Sequence, residues 1–171
     1  FKHVFIAILA CLSSTLMFGQ EKTPQVLHLK VTSDIDPRSN RYVSLGLEKA
    51  SEMKVDYVIL ELDTYGGALT DADEIRTAIL NYERPIYAFI NKDAASAGAL
   101  ISIACDSIYM STGSSIGAAT VVTGEGEAAP DKNQSYMRSI MRSTAEAKGR
   151  NPEIAEAMVD EEIRLDSLIK D

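Results

Sequence analysis

The segment from residue 96 to residue 104 places the strongest limit on the fold, because nearly all of its residues are apolar or small. A helix that is apolar all round has to be buried on every side. The apolar run 86–90, which follows Pro85, is typical of a buried strand. A chain of 171 residues, 46% hydrophobic and 25% charged, can surround such a helix within one globular domain.

The rest of the chain repeats this alternation of strand-like and helix-like patterns. Alternation of this kind predicts an α/β fold with right-handed crossovers between parallel strands. We predict strands at 26–31, 56–62, 86–90 and 107–110, helices at 38–53, 70–81, 96–104 and 131–148, a further helix from 151, and loops at 111–119 and 123–130. In the first helix, Tyr42, Leu45, Leu47 and Ala50 are expected to face the core.

Charge and motif content exclude several classes of function. The formal net charge is −8 and no basic stripe is visible, so nucleic acid is not expected as a partner. The glycine-containing loops lack the lysine-bearing pattern of a phosphate-binding loop. We therefore predict no cofactor and no metal site.

The start of the chain is typical of a targeting segment. Residues 1–20 combine a basic beginning, the apolar run 4–10 and a stretch rich in small residues, which predicts a signal peptide and an exported domain at 21–171. A membrane anchor is the alternative, although serine and threonine interrupt the apolar stretch. Lipoprotein processing at Cys11 is another alternative. Cys105 would then be the lone cysteine of the exported chain, and its apolar neighbours predict a buried thiol.

Ser96 is the candidate nucleophile because it lies between small residues where a strand-like run gives way to the apolar helix. Thirty residues earlier, the strand-like run 56–62 is followed by Gly66 and Gly67. Adjacent glycines can bring backbone N–H groups close to a substrate oxygen, as an oxyanion hole requires. The alternatives are that Ser96 only caps the helix and that the glycine pair is a plain turn.

A serine nucleophile needs a base, and few residues qualify. His28 lies on the first predicted strand, where a structural role is favoured. A lysine can serve when its pKa is depressed by apolar surroundings, and serine–lysine pairs are a known arrangement. The lysines after Ser96 are Lys132, Lys148 and Lys170, and among these Lys132 begins an amphipathic helix directly after a loop. A solvated lysine at a helix start is the alternative.

Four segments of the sequence together resemble the NfeD family of membrane-associated serine proteases. The similarity covers about residues 26–159, and its motifs follow each other in the order and spacing of that family. The matching segments are Leu-Asp-Thr-Tyr-Gly-Gly at 62–67, Ala-Ala-Ser-Ala-Gly at 94–98, Ser-Ile-Gly-Ala-Ala at 115–119, and Lys132 with the Gly-Arg-Asn sequence at 149–151.

The resemblance implies a ClpP/crotonase-like fold of repeated β-β-α units and an ATP-independent serine endopeptidase. By position, it makes Ser96 the nucleophile and Lys132 the general base of a Ser–Lys dyad. Gly66, Gly67 and Ala97 form the implied oxyanion and substrate-binding set. The implied substrates are apolar peptide segments of membrane proteins, including stomatin-like proteins. The predicted signal peptide indicates a periplasmic location or one at the extracytoplasmic side of the membrane.

The resemblance has one local departure and leaves other functions open. Tyr65 stands where the family usually has proline, and its ring would narrow or line the substrate cleft. A homo-oligomer is expected, and the apolar stripe of the helix 131–148 is a candidate surface for it, with ordinary core packing as the alternative. Two alternatives from other classes are a non-catalytic scaffold that binds apolar peptides and an acyl-CoA enzyme of the crotonase type.

Overall fold

Within residues 23–163, the part of the chain that the computed structural model describes, five parallel strands form one sheet. The predicted signal peptide and Cys11 lie outside the described residues. The strands are β1 (Val26–Val31), β2 (Tyr57–Thr64), β3 (Ile86–Ala95), β4 (Ser107–Met110) and β5 (Ser115–Gly117). Their order is β1-β2-β3-β4, and β5 pairs with β3.

The third strand is long enough to hold two partners in succession on one side. Its first half pairs with β4, and residues 93–95 pair with β5. The sequence predicted a loop at 111–119, which is wrong for residues 115–117. Since all strands are parallel, the carboxyl ends of β2, β3 and β5 meet at one edge of the sheet, where Ser96 follows β3.

Helices connect the strands and complete the core. They are α1 (Pro37–Met53), α2 (Leu69–Leu80), α3 (Ala97–Ala104), α4 (Asp131–Ala147) and α5 (Pro152–Ala157). All eight residues of α3 are buried, as its apolar sequence predicted, and this helix packs against α2 and α4. The α/β class is therefore confirmed, and so is the buried thiol of Cys105.

The face expected for α1 is wrong at two positions. Tyr42 and Leu45 of α1 are 44% and 45% exposed, while Val43 is buried with Leu47 and Ala50. The Tyr42 hydroxyl instead accepts a hydrogen bond from the backbone of the edge strand β1. The stripe of α4 is mostly buried in this chain's own core, through Met137, Ile140 and Met141, so core packing accounts for these three residues, while Tyr136 is 48% exposed.

Among residues 23–163, no helix combines the length and the apolar character needed to cross a bilayer.

Candidate active site

Ser96 occupies a strained turn between β3 and α3. Its backbone has φ 52° and ψ −114°, a conformation that costs a non-glycine residue about 1–3 kcal/mol. The Ser96 N–H donates to the Gly117 carbonyl at 2.8 Å, and the Ser96 carbonyl accepts from Ala99 at 2.9 Å. These bonds hold the turn from both sides. Ser96 stands at the N-cap position, yet its hydroxyl makes no capping hydrogen bond. Helix capping therefore does not account for the serine.

Gly66 packs directly against the nucleophile candidate. A Cβ at this position would lie 2.8 Å from Ser96 Cβ and 3.2 Å from Ser96 Oγ, so only glycine fits. The Gly66 N–H donates to Thr64 Oγ1 at 3.1 Å, and its carbonyl accepts from the Ile35 N–H at 2.8 Å. The Gly66 amide is thus already satisfied, and its role in the site is to allow close approach to Ser96.

Gly67 and Ala97 present N–H groups without an acceptor among residues 23–163. Gly67 is fixed by the β-bridge that its loop forms with Ile35, where the Ala68 N–H donates to the Ile35 carbonyl at 2.7 Å. Ala97 is the first residue of α3, and the first N–H groups of a helix have no partner within it. Both residues line the same cavity as Ser96. Two unsatisfied donors beside a serine are the elements of an oxyanion hole.

The cavity at Ser96 has a volume of about 780 Å³ and largely apolar walls. Ile116 of β5, Val121, Met137 of α4 and Met158 form much of its lining. Tyr65 lies on its rim and is 82% exposed. Tyr65 thus lines the Ser96 cavity, which is one of the two placements expected for its ring from the sequence.

Lys132 does not line this cavity. It is exposed in the first turn of α4 and lines a neighbouring cavity of about 520 Å³ together with Asp73, Glu74 and Tyr136. Leu69, the first residue of α2, lines both cavities and separates them. The structure therefore brings together Ser96, Gly66, Gly67 and Ala97, and leaves Lys132 in the adjacent cavity.

His28 lies elsewhere, on the sheet. Its Nε2 is 2.8 Å from the carboxylate of Glu61, which also pairs with Lys30 at 3.0 Å. The Lys30 hydrogen bond holds the pKa of Glu61 below its ordinary value, against the opposing effect of burial. His28 lines neither cavity, in agreement with the structural role favoured from the sequence.

Gln134 is a residue of the site region that sequence reasoning missed. Its Oε1 accepts from the Val121 N–H at 2.9 Å, and its Nε2 donates to the Val121 carbonyl at 2.6 Å. The amide thereby ties α4 to the 118–122 wall of the Ser96 cavity. The sequence carries no signal for this contact beyond a glutamine near a helix start, because the partner is backbone thirteen residues away.

A parallel sheet whose third strand leads into a strained serine, a buried helix and a facing glycine pair is an α/β arrangement of the ClpP-like class of folds. The ClpP1 protein of Listeria monocytogenes has this fold, with a TM-score of 0.59, 19% identity and coverage of 78% of both chains. Residues 25–171 match the family described as the N-terminal domain of NfeD1b. The chain belongs to that family, as the sequence motifs indicated.

Two curated relatives support the assignment. The membrane protein NfeD1b of Bacillus subtilis (strain 168) is 35% identical over 158 residues, which are 92% of this chain and 36% of that protein. The membrane-bound protease PH1510 of Pyrococcus horikoshii is 29% identical over 144 residues, covering 80% of this chain and 32% of that protein. The chain thus spans about a third of the length of these relatives.

Solved structures of the stomatin-specific membrane-bound protease 1510-N share the same fold. A serine-to-alanine mutant has a TM-score of 0.75 at 26% identity, covering 82% of this chain and 72% of that one. A lysine-to-alanine mutant in complex with a substrate peptide has a TM-score of 0.76 at 26% identity, with coverage of 81% and 67%. These likenesses confirm the predicted ClpP-like fold.

Proposed function

We propose that this chain is the catalytic domain of an ATP-independent serine endopeptidase. The observation that carries the proposal is the strained backbone of Ser96, held beside two N–H groups that have no acceptor among residues 23–163. A strained backbone conformation at a serine costs about 1–3 kcal/mol of stability, and such conformations concentrate at functional sites. The relation to a membrane-bound protease supports the same conclusion.

In the proposed reaction Ser96 attacks the scissile carbonyl of a peptide. The neutral amine of Lys132 takes the hydroxyl proton, and the N–H groups of Gly67 and Ala97 donate to the oxyanion that forms. The C–N bond then breaks, and the Lys132 ammonium returns the proton to the leaving amine. Water hydrolyses the resulting ester of Ser96 by the same sequence, which releases the acid product.

The dyad requires Lys132 to leave its present cavity. Two features support such a movement. The first turn of α4 has Pro130 at its N-cap position and no side-chain cap. Among residues 23–163, Leu69 is the one residue that lines both cavities. Val122 and Ala128 bridge to form a small hairpin directly before α4. We propose that peptide binding shifts this hairpin and the first turn of α4 together, and so places the Lys132 amine on the Ser96 hydroxyl.

The proposed substrates are apolar segments of membrane-associated, stomatin-like proteins. Support comes from the apolar lining by Ile116, Val121 and Met137 and from the stomatin specificity named for the 1510-N protease. The predicted signal peptide supports an extracytoplasmic location, periplasmic or at the membrane. The homo-oligomer stays a prediction, which sedimentation velocity of the full chain would measure.

Hydrolysis of an internally quenched apolar peptide tests the dyad. We expect Ser96→Ala and Lys132→Ala to abolish cleavage while circular dichroism stays unchanged. Lys132→Arg should be equally inactive, because a guanidinium does not give up its proton. Lys49→Ala, which removes an exposed lysine of α1, is the matched control and should retain full activity. Activity that survives in either of the first two variants would refute the dyad.

One observation favours a second function, the binding of apolar peptides without hydrolysis. Lys132 lines a cavity different from that of Ser96, and the titratable side chains of the Ser96 cavity within residues 23–163 are Tyr65 and Glu161. If the unsubstituted chain binds the peptide with the same affinity as the alanine variants and never cleaves it, the binding function is the correct one.

A further inference from the structure

A second apolar cavity adjoins the one at Ser96. It has a volume of about 400 Å³ and lies between the end of α3, β4, α4 and α5. Ile103 and Ile108 line its interior, while Met110 and Ile154, which are 45% and 42% exposed, give it an apolar opening to solvent. A cavity of this kind excludes water from whatever apolar group enters it.

Arg150 is the charged residue in the wall of this cavity. It is partly buried, and its Nη1 donates to the Ile103 carbonyl at 3.1 Å, at the end of α3. The neighbouring cations have carboxylate partners, Lys148 with Asp106 and Arg142 with glutamates. Arg150 has no such partner among residues 23–163. A guanidinium carries five N–H donors, so most of its hydrogen-bonding capacity toward an anion remains available.

The two cavities are separated by two shared side chains. Ile116 and Met158 line both the Ser96 cavity and the Arg150 cavity. The reaction proposed above, on which this step rests, releases a peptide that ends in an apolar residue and a new carboxylate. We infer that the Arg150 cavity binds this product, with the apolar carboxyl-terminal side chains inside it and the carboxylate on the Arg150 guanidinium.

The inference can be tested without turnover, on the full chain with Ser96→Ala. The probes are acetyl-Val-Leu-Leu with a free carboxylate and the same peptide with a carboxyl-terminal amide, titrated by calorimetry. We expect the acid to bind about tenfold more tightly than the amide, because a hydrogen-bonded ion pair with Arg150 lowers the dissociation constant by about a factor of ten. In NMR spectra, the amide shifts should centre on Arg150 and Ile154.

Substitutions in this background show where the preference arises. Arg150→Gln should remove the preference for the acid. Ile154→Glu, at the exposed opening, should also remove it, because the new carboxylate repels the carboxylate of the peptide. This second variant keeps the test valid if Arg150→Gln folds poorly. Arg142→Gln, which deletes an arginine of α4 outside the cavity, should leave the preference intact. Equal affinity for acid and amide, or shifts confined to Gly117 and Ala118 of the Ser96 cavity, would overturn the inference.

The outcome is separable from that of the proposed reaction. A chain that cleaves peptides but shows no acid preference would refute the Arg150 cavity alone. A chain that never cleaves but binds the acid through Arg150 would refute the peptidase and leave the cavity as a carboxylate-binding site.

Discussion

Gly98, in the first turn of α3, offers a quantitative test of how tightly the turn at Ser96 is packed. Its Cα lies close to Thr64 of β2, and a Cβ added there would stand 2.8 Å from Thr64 Cγ2, with the remaining neighbours at 3.5 Å or more. Thr64 is 3% exposed, so its methyl group has no room to retreat. Gly98→Ala therefore creates one defined clash with one methyl group.

Gly98→Ala and Thr64→Ser each change the free energy of unfolding by an amount that follows from the contacts. Overpacking of a core costs about 1–3 kcal/mol, whereas replacing glycine by alanine in a helix contributes about 1 kcal/mol of stability. Gly98→Ala should thus lower the free energy of unfolding by up to about 2 kcal/mol. Thr64→Ser removes the clashing methyl but keeps the hydroxyl that accepts from the Gly66 N–H. Loss of that buried methyl costs about 0.5–1.5 kcal/mol.

The double variant distinguishes a specific clash from general disturbance. In Gly98→Ala with Thr64→Ser the clash is absent, so the two changes should couple favourably by about 1–3 kcal/mol. Urea unfolding followed by circular dichroism measures all four proteins of the cycle. Additive effects, with a coupling energy near zero, would show that α3 does not approach β2 as closely as the structure has it.

Three further predictions concern single positions. Gly67→Ala, whose new methyl would lie inside the contact distance of a backbone carbonyl, should lower stability and abolish activity together, as thermal unfolding and peptide hydrolysis would show. The hydrogen bond from Lys30 lowers the pKa of Glu61 below its ordinary value of 4.5. The stabilisation by the ionised Glu61 carboxylate is therefore present above pH 4.5 and is lost at lower pH. Glu61→Gln should flatten the pH dependence of urea unfolding in that range. Burial raises the pKa of the Cys105 thiol to about 12, so in a Cys11→Ser background a thiol reagent should react only after unfolding.

Local sequence patterns predicted most of the fold because each of them reports burial directly. The apolar segment 96–104 predicted a buried helix, and the apolar run 86–90 before it predicted a buried strand. The prediction for the buried face of α1 was wrong at Tyr42 and Leu45, because a helix at the edge of a sheet leaves part of its apolar surface in solvent. The three-residue strand β5 could not be predicted, since its pairing with β3 is a long-range contact without a local signal.

The candidate site also combines features that the local sequence predicted with features that only the structure shows. Ser96 and the glycine pair could be placed because a strand end, a helix start and two glycines are local features, and the sheet brings them together. The distinct roles of Gly66, which approaches Ser96, and Gly67, which presents its N–H, depend on the bridge to Ile35 and needed the structure. Lys132 follows a long loop, so no periodicity in the sequence could determine which cavity it lines.

We propose that Ser96 is a nucleophile activated by Lys132. The most direct test of this proposal is to treat the full chain with a fluorophosphonate probe and to locate the adduct by mass spectrometry of the digested protein. We expect one adduct, on Ser96, that disappears in Ser96→Ala and is strongly reduced in Lys132→Ala. An unmodified Ser96 after prolonged exposure, or labelling that is indifferent to Lys132→Ala, would contradict the account.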